Sequence, residues 1–223
     1  MRRFVLVLVL SGLSVAGCST KPVNYQALTS TAHLRPAKGG DNAFEYRDVS
    51  ADFGTYSKVI IEPVTVYQGA DAHFGSLSEE DRQIVATYMQ RKFAEVLSTR
   101  FQMVSDAEPG ALRIHLTLTG IKASVPVLST ISHVAPVGLA INGALQALGE
   151  NGTMYGALTY AVEISDPATG KLLLAYITQQ TPDALDVTAS IGYLDAAKTG
   201  ARIGARQLRD ALVKAGMVEA IRP

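Results

Sequence analysis

The sequence predicts an α+β fold: a mainly antiparallel sheet of about four strands with two long helices packed on one face. Three observations predict it. Leu112, Ile114, Leu116 and Leu118 alternate with Arg113, His115, Thr117 and Thr119, the period-two pattern of a strand with one buried face. Val85, Met89, Phe93, Val96 and Leu97 recur at helical spacing, so a helix gathers them on one side. Two apolar runs flank Asp166-Pro167-Ala168-Thr169-Gly170, whose proline and closing glycine suit a tight hairpin connection. The elements follow the order β-α-(β)-β-β-β-α.

From Ser19 to Asn42 the chain is polar, with Pro22, Pro36, Gly39 and Gly40 and no sustained periodicity. Residues 18–42 therefore read as a flexible tether, and residues 43–223 as a single domain. Order begins near Glu45-Tyr46-Arg47-Asp48, and Tyr56 to Tyr67 is a β-branched run expected as one strand. Pro63 has no amide donor, so it belongs at an edge, at a bulge or near that strand's end. Gln68 to Phe74 is a loop. Ser76-Leu77-Ser78-Glu79 has capping-box spacing, and Glu79, Glu80 and Asp81 suit the positive end of a helix running to about Arg100.

Phe101 to Val104 is a short candidate strand, and the turn at Pro109-Gly110 leads into the alternating strand. Thr153 to Ser165 places Leu158, Tyr160, Val162 and Ile164 on one face, and Lys171 to Gln179 returns beside it. Asp186 is the expected cap of a last helix from Val187 to Ala215, with Gly216 as its stop. Gly192, Gly200 and Gly204 fall inside that span, and each weakens a helix by about 1 kcal/mol relative to Ala. Close approach of helix and sheet offsets such a loss.

No charged residue occurs between Lys122 and Glu150. Pro126, Pro136, Ser129, Thr130, Ser132, His133, Asn142 and Gln146 interrupt the stretch, which weakens a membrane-spanning reading. Within it, Val134, Val137, Leu139, Ile141, Leu145 and Leu148 form a candidate interaction stretch, with small residues at Ala140/Ala144 and Gly143/Ala147 suited to close helix contact. Three readings stay open: a buried crossover, an exposed flap for a partner or lipid, and a membrane-inserting element of an oligomeric channel. The last lacks the alternation of a transmembrane hairpin.

Chemistry is not declared by any motif. There is no G-x-S-x-G, H-E-x-x-H or G-x-x-x-x-G-K-[ST]. His33, His73, His115 and His133 are scattered, and Asp71-Ala72-His73 offers at most two metal ligands where a site needs more. The expectation is a protein that is not an enzyme and takes no metal and no cofactor. Nearly half the residues are hydrophobic, enough for one substantial core.

The first seventeen residues differ from the rest. Arg2 and Arg3 precede an unbroken apolar run from Phe4 to Leu10, and Ser11 to Gly17 carries no charge. A positive start, a short apolar core and small residues before a cut describe a signal peptide, residues 1–17. The run is shorter than the roughly twenty residues a spanning helix needs. Its removal takes Arg2 and Arg3, leaving 18 basic against 20 acidic residues and a net charge of −2. No basic patch suggests nucleic acid.

Cys18, the only cysteine, directly follows Val15-Ala16-Gly17. That spacing resembles the lipobox of bacterial lipoproteins. The resemblance implies a diacylglycerol thioether on Cys18, cleavage before it and acylation of the new amine. An exported chain would then carry no reactive thiol in an oxidising compartment. A single acyl chain anchors only marginally, whereas two or three on one residue suffice. Ser19 stands where an Asp commonly retains such proteins in the inner membrane, so the outer membrane is favoured, with the domain facing the periplasm.

Together with the lipobox, Tyr56-Ser57-Lys58-Val59-Ile60-Ile61-Glu62-Pro63-Val64, the helix after it, Pro109-Gly110-Ala111-Leu112-Arg113-Ile114, the Asp166–Gly170 hairpin and the alanine-rich last helix resemble a bacterial lipoprotein family. It is filed as domain of unknown function 3313 (DUF3313). The resemblance implies an envelope lipoprotein with no assigned activity and no catalytic residues to carry over. The order of elements is also similar to that of accessory lipoproteins of envelope assembly. Two functions follow as expectations: a non-catalytic module that binds an envelope partner, or an oligomeric channel subunit or apolar-ligand carrier using residues 123–149.

Overall fold

In a computed structural model, which describes residues 22–123, 156–182 and 192–220, a mixed sheet carries two helices on one face. Its strands are β1 (Arg35–Pro36), β2 (Asn42–Arg47), β3 (Lys58–Ile61), β4 (Thr65–Val66), β5 (Gln102–Met103), β6 (Ala111–Lys122), β7 (Ala157–Ser165) and β8 (Leu172–Gln180). The helices are α1 (Glu79–Leu97) and α2 (Asp195–Lys214). Across the sheet the order is β1-β2-β8-β7-β6-β3-β5, with β4 also against β6.

The expectation of about four mainly antiparallel strands is corrected: the described residues form eight strands and the sheet is mixed. Helix α1 is the cause of the parallel part. It carries the chain from β3 back to its starting end, so β5 and β6 both run parallel to β3. The uncounted strands β1 and β4 have only two residues each, too few for a periodic signal. Strand β2 (six residues) shows in the sequence only as the onset of order near Glu45, and the short candidate at Phe101–Val104 is β5. The Tyr56–Tyr67 run is likewise two strands. Glu62 N–H donates to Ile114 and Tyr67 N–H to Leu118, and Pro63, with no donor, sits in the break.

Helix α1 begins at Glu79, capped by Ser78 and not by Ser76. Ser78 Oγ accepts from Asp81 N–H at 3.1 Å and donates to Asp81 Oδ2 at 2.8 Å. Val85, Met89, Phe93 and Leu97 are buried as their spacing requires, while Val96 is only partly so. Helix α2 starts later than expected, after Leu194, which makes no side-chain cap bond. Asp186 lies outside the described residues. At the other end Gly216 adopts φ +94°. Its N–H reaches Val213 and that of Met217 reaches Leu212, a Schellman closure.

Two of the three glycines are inside α2, and Gly192 precedes it. A Cβ on Gly200 would stand 3.0 Å from Leu158 Cβ and 3.1 Å from Gln180 Cβ; on Gly204 it would stand 1.9 Å from the Tyr160 hydroxyl. The helix backbone thus rests directly on β7 and β8.

The opposite face of the sheet is not open. Tyr25, Leu28 and Leu34 are buried against Tyr67, Ala161, Ala175 and Ile177. The tether expectation for residues 18–42 is therefore corrected: from Asn24 the chain belongs to the folded body. Consecutive turns place those apolar residues, with Thr31 Oγ1 donating to the carbonyls of Tyr25 and Leu28. Turns leave no period of two or 3.6, which is why pattern reading missed the segment.

Two side-chain pairs pin the end of the sheet near the hairpin. Lys171 bonds Asp48 and, with help from Ser50, holds that carboxyl at about 2, below the ordinary 3.8. Tyr56 donates to Asp166 at 2.9 Å, which lowers Asp166. The Tyr56 hydroxyl is pushed up to about 12 by burial and by that carboxylate.

Gly204→Ala should lose about 1–3 kcal/mol despite its better helix propensity, seen as a lower urea midpoint with an unchanged slope. Because Asp48 and Asp166 are depressed in the folded state, their contribution is present above about pH 4 and lost as pH falls below it, for Asp48 through about 2. Thermal midpoints of the Asp48→Asn, Asp166→Asn double variant should fall less steeply between those pH values than those of the parent.

Candidate functional site

Because α2 lies over β7 and β8, the outer strand β2 borders a groove of about 660 Å³ beside the helix. This volume lies within the range of ligand-binding clefts. Register sets Glu45 opposite Tyr176 and Arg47 opposite Leu174, so these four share one patch. Phe53, Leu174, Tyr176 and Leu212 supply apolar surface, and Arg35, Lys38, Asp41, Glu45 and Arg47 supply charge of both signs. The Arg47 guanidinium lies 5.4 Å from the Phe53 ring centre, a cation–π placement. Gln207 is fixed from both sides, accepting from Gln180 at 2.7 Å and donating to Asp41 at 3.2 Å. Burial pushes the Tyr176 phenol up, so it stays neutral. The groove can hold an amphipathic segment, apolar groups on its wall and charges at its rim.

A smaller cavity of about 390 Å³ lies on the other face, between the N-terminal segment and β4, bordered by Tyr67, His115, Thr117 and Glu163. Glu163 is 7% exposed and accepts the Ser30 N–H at 2.6 Å. His115 stands opposite it across β6 and β7. His115 Nδ1 lies 2.9 Å from Glu62, whose other oxygen is 3.2 Å from Arg113 Nε. These groups are committed to structure: Glu163 holds a backbone amide, and Glu62 joins Arg113 to His115.

Asp71 and His73 are also committed. The Asp71 carboxylate accepts from the Tyr67 hydroxyl at 2.7 Å and from Gln26 N–H at 3.1 Å. Burial raises its pKa, but these two bonds outweigh that and hold it below the ordinary value. The Tyr67 oxygen in turn accepts from Ala27 N–H. His73 Nδ1 lies 3.0 Å from the Tyr25 hydroxyl, which burial pushes up. Among the described residues no three His, Cys, Asp or Glu side chains are grouped to hold a metal.

The lipobox residues Val15, Ala16, Gly17 and Cys18 lie outside the described residues, as do Val134, Val137, Leu139, Ile141, Leu145 and Leu148. Sequence reasoning missed the groove because its walls come from segments remote in the chain. Glu163 did leave a signal: one acidic residue between Val162 and Ile164 in an apolar strand.

The profile of a family described as "Protein of unknown function (DUF3313)" matches residues 24–208. The chain belongs to the DUF3313 family. The match begins at Asn24, where the folded segment begins. No curated protein matches this DUF3313 chain in sequence. Among solved structures it is similar to a PelC dodecamer from Paraburkholderia phytofirmans, at 6% identity and TM-score 0.36, covering 79% of this chain and 97% of that one. It is similar to a DUF330 protein from Xanthomonas campestris, at 7% identity and TM-score 0.39, covering 76% and 91%. A candidate lipoprotein from Caulobacter crescentus CB15 shares 13% identity at TM-score 0.33, covering 69% and 88%. These are remote likenesses.

Glu163→Ala leaves the buried Ser30 N–H without its acceptor and should cost about 1–3 kcal/mol. Hydrogen exchange should accelerate first at residues 25–34. Glu163→Gln keeps an acceptor oxygen and should preserve most of the protection.

Proposed function

We propose that this DUF3313 protein is a bacterial envelope lipoprotein, attached through acylated Cys18 to the outer membrane, whose periplasm-facing, non-catalytic domain binds an envelope partner. One observation carries the reading. The only cysteine directly follows Val15-Ala16-Gly17, at the close of a short uncharged run that begins after Arg2-Arg3. Acyl chains contribute about 0.8 kcal/mol per buried methylene, so two or more on one residue give lasting attachment. Ser19 in place of Asp favours the outer membrane.

For the partner, the groove beside α2 is the described surface with the right character. Its apolar wall of Leu174, Tyr176 and Leu212 is rimmed by Arg35, Lys38, Arg47, Asp41 and Glu45. Such a mixture suits a polypeptide segment better than a wholly apolar ligand, since an apolar ligand would leave rim charges desolvated and unpaired.

Cys18→Ser should abolish incorporation of labelled palmitate and release the protein from the membrane fraction. Undiminished palmitate uptake would remove the basis of the proposal. A photo-cross-linker at Arg47 should capture a discrete envelope protein in cells, and Arg47→Glu combined with Leu174→Asp should abolish capture by a cross-linker at Lys38.

A further inference from the structure

The point where the chain enters the fold is far closer to Cys18 than a tether would allow. Asn24 is held by its Nδ2 donating to the Thr31 carbonyl at 3.1 Å, and Tyr25 is fully buried. Six residue steps separate Cys18 from Asn24, and a fully extended chain covers at most about 3.3–3.6 Å per step. The free reach is therefore about 20 Å.

That reach can be set against the thickness of the domain. The N-terminal segment lies on the sheet face opposite α1 and α2. Helix and sheet layers stack about 10 Å apart, and a helix adds about 5 Å beyond its axis. With the helices toward the bilayer, Asn24 would stand roughly 20 Å or more above it, at the limit of a taut link. With the segment toward the bilayer the link is slack, and a slack chain keeps the conformational entropy a taut one loses.

The end of the sheet is marked as well. Tyr25 reaches His73, whose N–H donates to Thr119 and whose carbonyl accepts from Ile121, both at 2.9 Å. Ile121 pairs with Leu158, Lys122 with Ala157, and Leu158 with Gln180. The opposite end carries the Asp166–Gly170 turn, eight rises of about 3.3 Å away along β7, or about 26 Å.

We infer that the domain seats directly on the lipid surface by the corner where residues 24–29 meet the His73–Gly120 end of the sheet, with the helices and the Asp166–Gly170 turn directed away. The inference rests on acylation of Cys18. Its occupant is the bilayer that holds the acyl chains, reached through a link too short for a stalk.

The test uses full-length lipidated protein in phospholipid vesicles containing a headgroup-labelled acceptor lipid. Acylation consumes Cys18, so an introduced cysteine is the only free thiol. Donor dye is placed at Gln68→Cys, exposed beside Ala27 and Thr29, at Ala168→Cys in the far turn, or at Thr87→Cys on the outer side of α1. Transfer to the lipid should be strongest from position 68 and at least twofold weaker from 168 and 87. Twenty Gly/Ser residues inserted between Cys18 and Asn24 should erase the contrast, since such a linker spans about 25 Å on average. Equal transfer from all three positions, or stronger transfer from 168 or 87, overturns the seating while flotation of the protein with the vesicles leaves the anchor standing. Failure to float, with no palmitate incorporated, overturns the anchor and the seating together.

Discussion

Every residue of β7 except the last is buried, so both faces of this central strand must be covered by other parts of the chain. One face carries Leu158, Tyr160, Val162 and Ile164 and takes the helices. The other carries Thr159, Ala161 and Glu163, smaller or polar, and takes the N-terminal segment. The two covers differ in kind. Helix α2 approaches until only glycine fits above Leu158 and Tyr160. The segment on the far side has no regular structure to offer, so side chains and amides fix it one by one: Tyr25 to His73, Ala27 to Tyr67, Ser30 to Glu163.

This division explains what the sequence made legible. Covers built from regular elements leave periodic traces, so α1, β6, β7, β8 and the hairpin between the last two were readable from residue spacing. Gly200 and Gly204 were readable too, as a penalty demanding a packing reason. The stretch from Asn24 to Leu34 follows no period, and its three buried apolar residues look like scatter in a polar run. The two-residue strands β1 and β4 failed for the same reason, since two residues cannot alternate. What sequence spacing could not supply at all was convergence. Arg35, Arg47, Tyr176 and Gln207 meet in one groove only after β2 pairs with β8 and α2 lies across β7 and β8.

The polar groups that look most like chemistry turn out to serve attachment. Asp71 and His73 suggest ligands by their spacing, yet both hold the N-terminal segment. Glu163 lies in a cavity with His115 across from it, yet accepts a backbone amide. A buried carboxylate needs such compensation, and here the compensation binds two parts of the chain together. The groove differs, since it presents apolar wall and charged rim together at an open surface.

Segment and groove are one continuous piece of chain. The stretch that enters the fold at Asn24 and is fixed by Glu163 at Ser30 goes on to supply His33, Arg35 and Lys38 to the groove. Asp41, a little further on, holds Gln207 of α2, which in turn holds Gln180 at the end of β8. Loosening the segment therefore removes one wall of the groove and weakens a link between β2 and the last helix. The groove and the entry of the chain into the fold are for this reason coupled through side chains, with Glu163 and Asp41 as the two points where the segment is fastened.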